Sequence, residues 1–219
     1  MIKRRPVKRL PLSGYECEYS YTPWGTEGRN VDNCYAYAVG NHRAFRTQKS
    51  VPGTRVHMND LGMNYKTCKG LKKRVLADNP GRIYSAKPDE KCRKDFYKIM
   101  MFVAPTNDFN NATGDFHFYK QHGYVKHTVK KGDTFQSLAK FFRVPYSRVY
   151  KCGPLVPGKE IRIKANVWSH KQGWGGGPLL SDACGKIILD PRKACRKYTY
   201  NYSKFCSSFC VKDRGIDVE

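Results

Sequence analysis

Apolar and polar positions change period several times along this chain, and each change marks an element. Residues 34–45, CYAYAVGNHRAF, follow Asp32-Asn33, whose short side chains can accept from the free amides of a first helical turn, so a helix is predicted to start there. A second helix is predicted over residues 68–78, stopped by Asn79-Pro80-Gly81. Residues 95–104 (DFYKIMMFVA) and 115–121 (DFHFYKQ) are dense in aromatic and branched side chains and read as strands. In the second of these, His117 stands between Phe116 and Phe118, so its ring leaves the strand on the opposite face from theirs. Residues 125–164 begin with an alternating strand and turn at Lys131-Gly132. A helix capped by Asp133 or Thr134 follows, with Phe135, Leu138, Ala139 and Phe142 on one face. A short helix opening at Pro145-Tyr146 and a strand, Ile161-Arg162-Ile163, after the Pro157-Gly158 turn complete a β, α, α, β order. The chain as a whole is expected to be α+β.

Charge adds a second layer. Lys and Arg number 41 against 18 Asp and Glu, a net +23, which attracts polyanions and raises their association rates. Five of these charges, Lys3, Arg4, Arg5, Lys8 and Arg9, fall in the first ten residues with no acid among them, so residues 1–30 read as a basic arm. Its expected contacts are acidic protein partners, nucleic acid phosphate or an anionic membrane. An aromatic content of 13% argues against disorder, and the longest apolar run, residues 99–104, is far short of a membrane span. The start, MIKRRPVKRLPLSG, has no apolar segment behind its basic residues and does not read as a secretory signal, so synthesis in a cytoplasm is expected.

Nine cysteines are an odd number, leaving at least one unpaired. Cys184, Cys195, Cys206 and Cys210 are separated by ten, ten and three residues, and only the last pair has zinc-like spacing. Buried or disulfide-linked thiols are the commoner fate of such residues; neither a metal nor a cofactor is expected.

Two resemblances sharpen the picture. Residues 124–164 resemble a LysM module through His127-Thr128-Val129, Lys131-Gly132-Asp133-Thr134, Leu138-Ala139, Val144-Pro145, Pro154-Leu155 and Pro157-Gly158-Lys159. The resemblance implies a site for N-acetylglucosamine polymers such as peptidoglycan or chitin, with Gly132, Asp133, Thr134 and Phe135 on one side and Pro154, Leu155 and Val156 on the other. Gly153-Pro154 stands where the family commonly has Asn-Pro, and the segment carries ten Lys and Arg against two acids, a net +8, unusual for a surface that only stacks on neutral sugars.

The flanking segments, Asp32-Asn33-Cys34-Tyr35-Ala36-Tyr37-Ala38, Asp115-Phe116-His117-Phe118-Tyr119-Lys120-Gln121 and Trp168-Ser169-His170-Lys171-Gln172-Gly173, resemble a cysteine-hydrolase-like family related to NlpC-type and papain-like amidases, found in bacteria and large DNA viruses. The implied fold is a papain-like or NlpC-like core over residues 31–123 and 165–219, with the LysM-like unit inserted between two of its strands. The chemistry has its own rationale. Cys34 in a first helical turn would have its thiol pKa lowered from about 8.5 by free amides and the helix dipole. His117 would then be the base, provided its face is turned toward that helix, His170 would orient His117, and backbone amides at Cys34 would hold an oxyanion. His42, His57, His122 and His127 read as surface or packing residues.

Two functions follow from these expectations. One is a minor-capsid type structural protein of a virion, docking on capsid or other virion proteins through its basic surfaces. The other is a cysteine amidase or peptidase brought by the LysM-like unit to cell-wall glycan.

Overall fold

The computed structural model describes residues 9–25, 32–43, 48–56, 67–105, 114–173 and 176–219. The protein is α+β, built on one open six-stranded antiparallel sheet with few helices. Helix α1 is Cys34–Val39 and α2 is Cys68–Asp78; the strands are β1 Ile83–Ala86, β2 Phe96–Ala104, β3 Asp115–Thr128, β4 Glu160–Lys171, β5 Pro178–Leu179 and β6 Lys204–Lys212, in the spatial order β1-β6-β2-β3-β4-β5. Helices α3 Phe135–Phe142 and α4 Tyr146–Tyr150 lie between β3 and β4 in the chain.

Local chemistry sets the helix ends. The Asn33 side chain accepts from the Tyr35 and Ala36 amides and starts α1. The helix stops well short of the predicted residue 45, because Gly40 turns left-handed at φ 75° and its N–H closes on Ala36 and Tyr37. Thr67 caps α2, which occupies the predicted range and ends at Asn79.

Strand β2 is buried along its whole length, which means that both faces of the sheet are covered. On one face α1 and α2 pack with Ile99, Met101, Val103, Phe116, Phe118, Phe209 and Val211. On the other, Met100, Phe102, Tyr119 and Trp168 meet Leu10, Ile188 and Tyr202, supplied by irregular segments. Two disulfides clasp β6 from these two sides: Cys68–Cys206 ties it to α2, and Cys92–Cys210 ties it to the segment ahead of β2. A third, Cys184–Cys195, closes a short loop, so Cys206 and Cys210 have separate partners. Cys17, Cys34 and Cys152 are unpaired.

The β, α, α, β segment does not bring separate strands of its own. β3 and β4 run without interruption from the central sheet into it, with a register shift between His122 and Tyr124, and α3 and α4 fold over the far end around Val125, Leu138, Phe142, Val149, Ile161 and Ile163. We call this end the tip. A capping box at Thr134 and Ser137 opens α3.

The described part of the N-terminal segment is bound rather than free. Tyr19 pairs with β3 through Tyr124 and Lys126, and Leu10 is buried. The half-buried Arg9 guanidinium donates to the carbonyls of Asn166 (2.8 Å) and Phe142 (3.1 Å), and also to those of Ala165 and Arg143. These carbonyl contacts engage the guanidinium of a residue expected to dock polyanions, and leave its charge without an acidic partner among those contacts. Lys3, Arg4, Arg5 and Lys8 lie outside the described residues.

Candidate functional site

The three residues of the expected cysteine site divide between the two faces of the sheet. Cys34 heads α1 and is buried among Phe116, Phe118 and the rest of the helix-covered core; its thiol approaches the Phe116 carbonyl at 3.7 Å. Because β3 alternates, His117 projects to the other side. There its ring stacks on Tyr202, with centroids 4.8 Å apart. The face assumed for His117 is thus corrected: the face toward α1 belongs to its two phenylalanine neighbours. Nor is the thiol activated. Burial pushes Cys34 up to about 12, Asp115 adds to this, and Lys49, the Phe118 backbone and Lys171 only partly offset it. A helix of six residues has a weak dipole to set against full desolvation.

His117 and His170 do meet, on the face away from α1. His117 Nε2 lies 2.9 Å from His170 Nδ1, and His170 Nε2 lies 3.0 Å from the Ser181 carbonyl. A carbonyl can only accept, so His170 carries its proton on Nε2 and accepts at Nδ1, and His117 donates from Nε2. The Nδ1 lone pair of His117 is then left as an acceptor. Burial holds both rings neutral: His170 is lowered to about 4, and His117 well below its ordinary value, helped by His170 and Lys49. The Tyr198 hydroxyl stands 3.2 Å from His170 Nε2, and Tyr202 donates to Asp115 at 2.8 Å. Beside His117 opens a cavity of about 300 Å³, lined also by Lys49, Asp115, Gln172, Thr199 and the tyrosines at 198, 200 and 202. It offers a neutral imidazole, a carboxylate, an ammonium, a threonine hydroxyl and tyrosine rings to a polar guest.

A second polar chain, which the residue pattern did not reveal, runs under α1. His122, expected to be a packing residue, is buried with Nδ1 2.8 Å from the Cys17 carbonyl, and its Nε2 accepts from Ser169 at 2.6 Å. The Tyr37 hydroxyl is 2.5 Å from the Ser169 hydroxyl. Burial and the neighbouring Lys120 lower His122 to about 3, so this ring too is neutral. Its one sequence signal is the alternation of β3 and β4, which puts His122 and Ser169 on the side covered by α1, the helix that carries Tyr37. Tyr198 and Tyr202 were missed as well; the clustering of tyrosines in 198–202 was the only hint.

At the tip, the residues expected to contact glycan sit in two loops at the end of the β3–β4 ladder, where Gly158 donates to Val129 and Val129 to Lys159. Gly132 takes φ 92°. The Asp133 carboxylate is engaged by His127 and the Lys130 amide, both at 2.8 Å, and Thr134 caps α3. Phe135 and Leu155 pack against the tip core, Pro154 is exposed, and Val156 is 49% exposed. Among the described residues no group of three or more His, Cys, Asp or Glu is placed to hold a metal ion, and no helix is long and apolar enough to cross a membrane.

No protein-family model, curated protein or solved structure matches this chain.

Proposed function

We propose that this protein is a structural, minor-capsid type component of a large DNA virus particle, in which a papain-like or NlpC-like scaffold with a LysM-like tip serves for docking and not for amide hydrolysis. The observation that carries the reading is the separation of Cys34 from His117 by the sheet, with the thiol sealed in the core and its pKa raised to about 12. Thioester chemistry needs a thiolate within reach of a base, and a buried thiol of raised pKa on the face opposite His117 argues against it. Three disulfides are in keeping with a chain that ends outside a reducing cytosol, as virion surfaces do. The net charge of +23 suits attachment to acidic capsid partners, packaged nucleic acid or an anionic membrane.

Iodoacetamide labelling of the native chain at neutral pH tests the chemical half of this reading. Cys34 is expected to react at least about a hundredfold more slowly than the same thiol in the denatured chain, since its thiolate fraction falls tenfold for each unit of pKa rise. Rapid, selective alkylation of Cys34 would overturn the docking reading and restore the hydrolase. Particle assembly tests the other half: Cys34→Ala is expected to leave incorporation unchanged, and removal of residues 2–8 to reduce it.

A further inference from the structure

The tip displays an aromatic pair that the fold itself does not use. Val149 is fully buried and anchors α4, so Tyr146 and Tyr150, one helical turn apart, face outward at 44% and 61% exposure. Their rings are near-parallel, 21° between planes and 5.9 Å between centroids. Phe135 stands edge-on to both, 6.0 Å from Tyr146 and 5.4 Å from Tyr150, and fixes their orientation from behind.

The charge around this pair has one sign. The two acids of residues 124–164 are both engaged, Asp133 by His127 at 2.8 Å and Glu160 by Lys126 at 3.3 Å. Lys130, Lys131, Lys140, Arg143, Arg148 and Lys151 are all exposed on the same small unit. Exposed parallel rings on one unit with basic groups that have no ion pair among the described residues are the two parts of a sequence-tolerant single-strand site: rings take base faces while cations follow phosphates. A duplex hides its base faces and could use only the charge. A neutral glycan could use the rings but has no use for the net +8.

We propose that the α3–α4 tip binds single-stranded nucleic acid, stacking successive bases on Tyr146 and Tyr150 and holding the phosphates with the tip's Lys and Arg side chains.

Fluorescence anisotropy of the full chain with a labelled oligothymidylate of about twelve nucleotides, within the site sizes of such surfaces, tests this against a duplex of equal length. The N-terminal basic residues act on both probes, so the ratio of the two affinities isolates the tip. Tyr146→Ala/Tyr150→Ala is expected to weaken single-strand binding about tenfold or more while duplex binding hardly changes, and Tyr146→Phe/Tyr150→Phe to retain it. Both rings are exposed, so an unchanged melting temperature verifies the fold of each variant. Equal losses on both probes, or no loss on either, would overturn the proposal. So would a double alanine variant that keeps its single-strand affinity but loses retention on chitin oligosaccharide or on phosphatidylserine vesicles, which would assign the face to sugar or to membrane.

Discussion

Phe118 and His117 are neighbours on β3, and they look out on two differently built sides of one sheet. On the side of Phe118, α1 and α2 cover Cys34, and the polar groups Tyr37, Ser169 and His122 satisfy one another in a chain that ends on a backbone carbonyl, beside a smaller cavity of about 190 Å³. The side of His117 is covered by irregular segments, with Tyr202 stacked on His117 and Tyr198 tilted against His170, and holds a cavity of about 300 Å³. Residue types that suggest a single reaction centre when read in order are thereby divided by the thickness of a strand. Cys34 packs with the phenylalanines on one side, and His117 stacks on Tyr202 on the other.

The largest expected effect comes from truncating these neighbours one at a time. Phe118→Ala leaves a void in the tight half and is expected to destabilise by about 3–5 kcal/mol. His117→Ala removes a stacked ring and one hydrogen bond beside a space already open, and is expected to lose about 1–3 kcal/mol, mainly through the unpaired His170 Nδ1. Urea unfolding at neutral pH measures both. Equal losses would mean that the cavity side is as tightly packed as the helical side, and the contrast would fall.

How much of this was legible beforehand depends on the range of the signal. β2 and α2 were readable to within a residue, since a dense aromatic and branched run and a capped helix stopped by Asn79-Pro80-Gly81 are local signals. The overrun of α1 came from reading Gly40 as part of the helix when it is the stop. Alternation correctly put His117 opposite Phe116 and Phe118, but not which side would receive α1. With β2 buried on both faces, apolar pattern alone does not distinguish them. The lid over His117 comes from Tyr198 and Tyr202, some 80 residues further along the chain, and no period in β3 encodes it. The disulfide partners, 138 and 118 residues apart for the two that clasp β6, are equally non-local.

Acid sharpens the comparison, because each side holds neutral histidine. Below the ordinary imidazole pKa of about 6.5 the unfolded chain takes up protons that the buried rings refuse. Stability is therefore fully present above that value and falls as pH drops, through a window reaching about 4 for His170 and about 3 for His122. Each ring contributes a slope of at most about 1.4 kcal/mol per pH unit. Urea midpoints between pH 7 and 5 are expected to fall, and His170→Gln and His122→Gln each to flatten the fall by one proton's share. If only His122→Gln does so, His170 takes its proton within the fold, and the cavity side is wetter than its geometry implies.

The smallest effect addresses what holds the lid. Tyr202 does two things at once: its ring lies on His117 at 4.8 Å, and its hydroxyl donates to Asp115 at 2.8 Å. Tyr202→Phe keeps the first and removes the second. Asp115 is partly open to solvent and has Lys49 at 3.8 Å, so its carboxylate is not left bare, and the expected loss is about 0.5–1.5 kcal/mol. The flat ring remains to shield the histidine pair, so the acid response of the variant should match that of the parent. Should it instead lose the slope assigned to His170, the Asp115 hydrogen bond and not the stacking keeps water off the pair. The lid would then be a polar latch, one that a guest competing for Asp115 could open.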